Sequence, residues 1–320
     1  MKSIENNYLL CGSYAYDTIL IHQDEFHKKI LPESIKKLNI SFGMNDVQEE
    51  FGGTAGNIAY NATLLEQFPV LIGNLGNDSK NYIERLKKLN LNHELLTIHE
   101  NEKTAHAWLL TDIKNNQIIA FHEGAMKYLP KIKNAKNTPN LWHLAADNPK
   151  SIYFLAQEAI KNNKKYFFDP GQSLLYFLKN DLEIIIKNSL GIFVNEYEME
   201  LLENILEEKI QKLMSKNQFI INTLGSKGTK LILKNKEIYF DIAQANEIKD
   251  PTGCGDAFRA GFLKNYTNGK SLQECIELGS TMGSFAIESF GGQNHKPNFE
   301  EIMQRQEKNF YKNKKFKIID

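Results

Sequence analysis

Residues 141–195, LWHLAADNPKSIYFLAQEAIKNNKKYFFDPGQSLLYFLKNDLEIIIKNSLGIFVN, decide the fold class. Three apolar runs of strand length, LWHLAA, YFFD and LGIFVN, are separated by SIYFLAQEAIK and SLLYFLKN, which have the length and apolar spacing of helices. Strands with so little polar alternation are buried on both faces, and strands alternating with helices form a parallel sheet joined by crossovers. EYEMELLENI (196–205) and QFIINTLG (218–225) continue the pattern. Each strand ends in polar or glycine residues. Ligands of open α/β sheets gather at the strands' carboxyl ends, so Asp169-Pro170-Gly171, Asn195 and Thr223-Leu224-Gly225 are expected around one crevice.

Toward the amino terminus, YLLCGS (8–13) reads as a buried strand ending in a small-residue turn, and VLIGNL (70–75) as another. Gly52, Gly53 and Thr54 lead into AGNIAYNATLLEQF (55–68), apolar at helical spacing, and residues 80–89 form a further helix. Residues 104–111 and 118–122 flank KNNQ and read as a β-hairpin, as do residues 230–240. Short apolar runs, TILI and LNISF, lie around a charged stretch within residues 18–50. Together with the hairpin at 103–123 they are expected to form a small β lid. Residues 256–266 and 272–289 are the last long helices. No repeat or Pro/Ser-rich linker divides the chain, so residues 1–320 are read as one α/β domain with its lid.

The 320 residues are 42% hydrophobic and 24% charged, enough for a large core. Lys plus Arg and Asp plus Glu number 39 each. No overall field therefore draws the molecule to nucleic acid or an acidic membrane. Cys11, Cys254 and Cys275 are odd in number and lack C-x-x-C spacing, which argues against a disulfide framework or zinc site and for a reduced, cytoplasmic compartment. Residues 1–8 lack a signal peptide's apolar core, and no apolar run is long enough to span a bilayer.

Lys249 to Phe262 reads KDPTGCGDAFRAGF. Gly253, Cys254 and Gly255 precede an apolar helix, whose first N–H groups and macrodipole favour an anion. Asp256 has two readings: an N-cap, for which Asp is a favoured residue, or a carboxylate facing a hydroxyl about to lose its proton. An acid beside an anion-holding turn favours the second, because phosphoryl transfer needs an acceptor-side carboxylate and donors that neutralise the transferring group. With a reference pKa of about 4, Asp256 is expected to be ionised at neutral pH without special tuning. Arg259, one turn on, either clamps phosphate or forms a structural salt bridge.

DPTGCGDAF resembles the C-terminal signature of the ribokinase-like (PfkB-type) kinases, Asp-x-Thr/Ser-Gly-x-Gly-Asp. Five such fixed positions should meet by chance in on the order of one in a few thousand chains this long. The resemblance implies a three-layer α/β/α sandwich with a mostly parallel central sheet and a small β lid. It makes Gly253, Cys254, Gly255 and Asp256 the anion hole and Asp256 the base, with Cys254 where the family usually has a small residue such as Ala. The likeness runs in order along nearly the whole chain. FGGTAGN (51–57) is similar to the family's Gly-Gly-x-x-x-Asn signature, implying that Gly52, Gly53 and Asn57 meet a sugar. Asp17, in GSYAYD with Ser13, matches the family's early Asp, which accepts bonds from two sugar hydroxyls. Asn195 and Glu198 match an Asn-x-x-Glu motif that organises Mg²⁺ and its waters. Thr223 to Gly228, TLGSKG, resembles the Thr-x-Gly-x-x-Gly loop that carries ATP, implicating Thr223, Gly225 and Gly228, while Lys227 either touches phosphate or is solvated. No Walker G-x-x-x-x-G-K-[ST] occurs. His295, in GGQNHKP, falls where the family's adenine pocket lies.

Within the family, GSYAYD, HKKILPESIKKLNISF (27–42), AFHEGAM (120–126) and FDPGQ (168–172) look most like bacterial adenosine kinases. That likeness implies ATP- and Mg²⁺-dependent phosphorylation of a purine nucleoside's 5′-hydroxyl, adenosine first, then inosine or guanosine. A base needs an apolar, aromatic-faced cleft, for which Phe42, Phe121 and Tyr16 are candidates, with Gln172 a further substrate contact. The alternatives are a sugar kinase of ribokinase or fructokinase type and a non-catalytic binding relative. Intact Asp256, Gly253, Gly255, Asn195 and Glu198 stand against the latter. A K⁺ site would begin at Asp250 and Thr252, and the lid suits either a monomer or a homodimer.

Overall fold

A computed structural model describes residues 7–30, 40–114 and 116–311. Its strands and helices run β1 (Tyr8–Cys11), β2 (Ala15–Ile21), β3 (Asp46–Gly52), α1 (Thr54–Leu64), β4 (Val70–Gly76), α2 (Lys80–Lys88), β5 (Asn92–His99), β6 (Ala105–Thr111) and β7 (Gln117–His122). There follow β8 (Leu141–Leu144), α3 (Pro149–Lys161), β9 (Lys165–Phe168), α4 (Lys179–Asn188), β10 (Gly191–Asn195), α5 (Glu196–Leu206) and β11 (Phe219–Thr223). The chain then forms β12 (Thr229–Leu233), β13 (Lys236–Phe240), α6 (Cys254–Thr267), α7 (Leu272–Ala286) and α8 (Phe299–Gln306).

Nine strands form the main sheet in the order β13-β12-β11-β10-β9-β8-β1-β4-β5. They pair in parallel except for β12 and β13, an antiparallel edge hairpin. Because strand side chains alternate between faces, the apolar runs supply two cores. Leu9 and Cys11 of β1 and Ile192 and Val194 of β10 pack with Leu155, Ile185 and Leu202 of α3, α4 and α5. Tyr8 and Leu10 of β1 and Phe193 of β10 pack with Ile58, Leu86, Phe262 and Ile276 of α1, α2, α6 and α7. Helices therefore cover both faces, as the three-layer expectation has it.

The second sheet, β3-β2-β6-β7, comes from the segments expected to form the lid. It begins at Ala15, and residues 31–39 of the lid segment lie outside the described residues. Register aligns Asp17, Glu50, Ala107 and Phe121 across one face and Tyr16, Phe51, His106 and His122 across the other.

Some boundaries differ from expectation. SLLYFLKN is not one helix: residues Gly171–Tyr176 make a short 3₁₀ turn, Phe177 and Leu178 are extended, and α4 starts at Lys179. Phe177 turns inward against Phe168, which breaks the helical path. Edge strand β5, whose mixed burial hides its apolar residues, was not read from sequence, nor was α8. Among the described residues no helix is long and apolar enough to cross a membrane. Cys11, Cys254 and Cys275 are free thiols.

Candidate active site

The turn before α6 is held from both sides. Asp250 Oδ1 accepts from the Thr252 N–H (2.9 Å) and hydroxyl (2.7 Å), and its Oδ2 accepts from the Gly291 N–H (2.8 Å). The residue expected to open a potassium site thus uses both oxygens to tie the 249–255 loop to the turn after α7. Gly253 has φ +74°, and a Cβ there would lie 2.6 Å from Gly292 Cα. Only glycine combines that conformation with that approach. Gly253, not Asp256, is the N-cap of α6, and no side chain caps the helix. Among the described residues, no acceptor takes the Gly255 or Asp256 N–H, so both donors remain open at the positive end of a helix.

The capping reading of Asp256 fails, because it sits in the first turn with its carboxylate aimed at α1. Asn57 Nδ2 donates to Asp256 Oδ2 at 2.8 Å. Burial pushes the Asp256 carboxyl up to about 7, with Asp169 and Asp17 acting in the same sense and the Asn57 bond and Arg259 opposing. Tuning is therefore present where the sequence suggested none.

Arg259 makes the salt bridge rather than standing free as a clamp. Its Nε and Nη2 donate to Asp169 Oδ2 (3.0 Å) and Oδ1 (2.9 Å), and Nη1 reaches the Gly255 carbonyl at 3.4 Å. His143 Nε2 lies 3.1 Å from Asp169 Oδ2. Burial would push Asp169 up, yet the Arg259 charge and the His143 bond hold it down at about 2. This buried trio braces the floor of the turn.

Asn195 and Glu198 form a capping box at the start of α5. The Glu198 N–H donates to Asn195 Oδ1 (2.8 Å), and the Asn195 N–H donates to Glu198 Oε2 (2.9 Å). Glu198 is buried, and burial raises its carboxyl while Arg259 pulls it back. Among the described residues its other oxygen accepts no hydrogen bond. Among the described residues no three His, Cys, Asp or Glu side chains form a metal cage. One free carboxylate oxygen suits a hard cation that keeps most of its waters.

Asp17 shares the crevice with Asp256. A Cβ on Gly52 would strike the Asp17 carboxylate, and one on Gly53 (φ +84°) would meet the Ser13 carbonyl at 2.6 Å, so both glycines are required by close packing. Burial, with Glu50 beside it, pushes Asp17 up to about 6. Ser13 does a structural job: its Oγ accepts from the Thr54 N–H at 3.1 Å and its carbonyl accepts from the Ala55 N–H, fixing the start of α1.

Of the aromatic candidates, Phe121 lies on the Asp17 face of the lid and is 54% exposed. Tyr16 points the other way, donating to the Asp78 carbonyl and packing on Tyr82. Phe42 packs with His22 and Phe26 in a separate cluster. Neither belongs to the crevice face.

Thr223 ends β11, Leu224 to Gly228 follow it beside the start of α5, and Lys227 Nζ pairs with Glu196 at 3.2 Å. A Cβ on Gly228 (φ +101°) would strike the Phe240 carbonyl, and Gly225 has φ +58°. Ser226, Lys227, Asp241, Gln244 and Asn309 line an open hollow there of about 340 Å³. His295 is not in it. His295 is buried against α1, with Nε2 2.6 Å from Asn61 Oδ1, and burial lowers its imidazole to about 4. Gln172 is exposed on the turn after Asp169. Sequence reading passed over Asp147, after β8, whose carboxyl burial pushes up to about 7. It also passed over His143, Arg85 and Gln293, which carry no local motif.

A model described as pfkB family carbohydrate kinase matches residues 15–298. A nucleoside kinase of Methanocaldococcus jannaschii is 34% identical over 278 residues, covering 86% of this chain and 92% of its own. The solved structure of Burkholderia thailandensis nucleoside kinase in complex with inosine superposes with TM-score 0.85 at 32% identity, covering 95% of this chain and 98% of its own. The same kinase in complex with ADP-inosine gives TM-score 0.82 at 33% identity, covering 95% and 96%.

Proposed function

Since the chain belongs to the pfkB family of carbohydrate kinases, and is a phosphotransferase acting on a hydroxyl, we propose that its donor is ATP and its acceptor the 5′-hydroxyl of a purine nucleoside, adenosine first. The observation that carries this reading is the lid face that Asp17 begins. Along that face, beside and beyond the carboxylate, lie Ile19, Ala107, Leu109, Ile119 and Phe121. Ile119 and Phe121 are 53% and 54% exposed. A carboxylate that accepts from a ribose diol, flanked by an apolar strip, suits a sugar carrying a base. A free sugar would leave the strip uncovered. Nucleoside kinases stand among the similar proteins, one of them solved with inosine, which supports the same choice.

In this reading Asp17 and Asn57 position the ribose, and the lid excludes water. Asp256 orients the 5′-hydroxyl and takes its proton, having a carboxyl near operating pH. The Gly255 and Asp256 N–H groups, at the positive end of α6, hold oxygens of the moving phosphoryl group. ATP lies along Thr223 to Gly228, where the glycines admit the phosphates and the adjacent hollow takes the rest. Glu198 and its waters would hold Mg²⁺, which supplies charge neutralisation at the phosphates.

The test is a panel of adenosine, inosine, guanosine, ribose and fructose with Mg-ATP, read as product formed. Nucleoside 5′-monophosphates are expected, with kcat/KM for ribose lower by about a hundredfold or more, as expected when an apolar base contact worth about 3 kcal/mol is lost. Equal turnover of ribose or fructose would remove the nucleoside reading.

A further inference from the structure

Asn57 reaches Asp256 at the end of a chain of hydrogen bonds that starts on another helix. Gln293 Nε2 donates to Asn57 Oδ1 at 3.1 Å, while Asn57 Nδ2 donates to Asp256 Oδ2 at 2.8 Å. Arg85 of α2 donates through Nε to Gln293 Oε1 (3.0 Å) and through Nη2 to the Gln293 carbonyl (3.1 Å). Gln293 and Asn57 are 4% and 6% exposed, and Arg85 is half-buried over the Phe51 and Tyr60 rings.

The direction of this chain is forced. An arginine has donors only, so the oxygen of the Gln293 amide must face Arg85 and its nitrogen must face Asn57. The Asn57 oxygen must then face Gln293, which turns its nitrogen to Asp256. Every donor points the same way, from a cation to a carboxylate, and such chains polarise cooperatively. The backbone is shaped to permit it: a Cβ on Gly292 would lie 2.7 Å from the Asn57 amide, and one on Gly56 would strike the Tyr82 hydroxyl.

We propose that Gln293 and Arg85 are positioning residues for Asp256, holding the Asn57 amide in the one orientation that donates to the carboxylate and so favours its ionised form. The role as base rests on the function proposed above; the hydrogen-bond relay does not. The other groups facing Asp256 are Arg259 and Cys254 on its own helix, Asp169 after β9 and Asp17 on the lid. The two acids oppose its ionisation and Arg259 favours it. None of these four is a hydrogen-bond partner of Gln293.

The test titrates the Asp256 carboxyl by carbon-13 NMR in ligand-free protein, assigned by its absence in Asp256→Asn. Gln293→Met frees the Asn57 amide to turn, and Arg85→Met, on a half-buried helix face, removes the first donor. Loss of a hydrogen bond to a charged group should move the midpoint upward by about one pH unit in Gln293→Met and less in Arg85→Met. The double variant should shift no further than Gln293→Met, because the two act in series. In turnover, kcat/KM of Gln293→Met should fall about tenfold at pH 6 and return to within about twofold of wild type at pH 9. An unmoved midpoint in folded Gln293→Met overturns the relay, as does an additive double variant; a shifted midpoint with a parallel loss of activity at every pH overturns the role of Asp256 as base and leaves the relay standing. If Gln293→Met does not fold, an unmoved midpoint in Arg85→Met is enough to overturn it. A protein that phosphorylates no nucleoside defeats the functional reading alone, since the titration needs no turnover.

Discussion

Replacing Asp256 by Asn should stabilise the ligand-free protein, and more so at pH 8 than at pH 5. Burial raises this carboxyl from 3.8 to about 7 in the folded chain. The unfolded chain therefore releases the proton first as pH rises. The stability tied to the protonated group is fully present below the unfolded value and is lost as pH climbs through the folded one. Asn stays neutral, nearly matches the shape and can still accept from Asn57. Between pH 5 and the folded midpoint, about two units at about 1.4 kcal/mol each give about 2.7 kcal/mol; partial solvation of the group reduces this to about 1.4 kcal/mol. With an unfolding entropy of about 0.7 kcal/mol/K for a chain of this length, the gain in Tm should be about 2 °C larger at pH 8 than at pH 5. Scanning calorimetry of both proteins at both pH values measures it, alongside a loss of kcat by orders of magnitude. Equal Tm differences at the two pH values, or a less stable variant at pH 8, would refute the argument, because the carboxyl would then titrate as if in water.

Three further outcomes follow from the same geometry. Asp17→Ala should raise the nucleoside KM by about tenfold or more with a smaller change in kcat, as expected for lost hydrogen bonds to a charged group; an unaltered KM would show that the sugar does not bind there. Glu198→Gln should keep the α5 capping box, which accepts Gln at that position, and so fold normally while needing more Mg²⁺; an unchanged metal titration would remove Glu198 from the metal's surroundings. Arg259→Met leaves Asp169 buried without its cation and should cost about 3–5 kcal/mol in urea unfolding; a loss below about 1 kcal/mol would mean that water already reaches that pair.

The layers of this fold were legible because buried parallel strands are nearly all apolar, as at Phe219 to Ile221 and Ile192 to Val194. The α6 turn was legible because its chemistry is contiguous in sequence. What escaped was of two kinds. Edge strand β5 mixes exposed and half-buried residues, so its apolar pattern is weak. The partners of Asp256 and Arg259 lie 199 and 90 positions away, where no periodicity or local motif can register them. Local rules also misled in one place and were overlooked in another. Asp at a helix start suggested a cap, yet Gly253 can adopt φ +74° and moved the cap three residues earlier. Asn195-x-x-Glu198 was read only for metal, although that spacing before an apolar helix is also the signature of a capping box. The box occupies one Glu198 oxygen and leaves the other, so the cap does not compete with the proposed metal role.

The salt bridge to Asp169 changes where positive charge for a phosphate can come from. Arg259 is the cation facing Asp256, and a bidentate carboxylate already balances it. Asp17, Glu198 and Asp256 add acid to the same crevice, and burial raises all three carboxyls. A triphosphate entering such a site gains little from side-chain cations. In the proposed reaction its charge would then be met by the open N–H groups of α6 and by a metal ion brought with the nucleotide. On this reasoning a neutral Arg259 variant that still folds should lose stability first and phosphate affinity second, the reverse of what a free clamp would do.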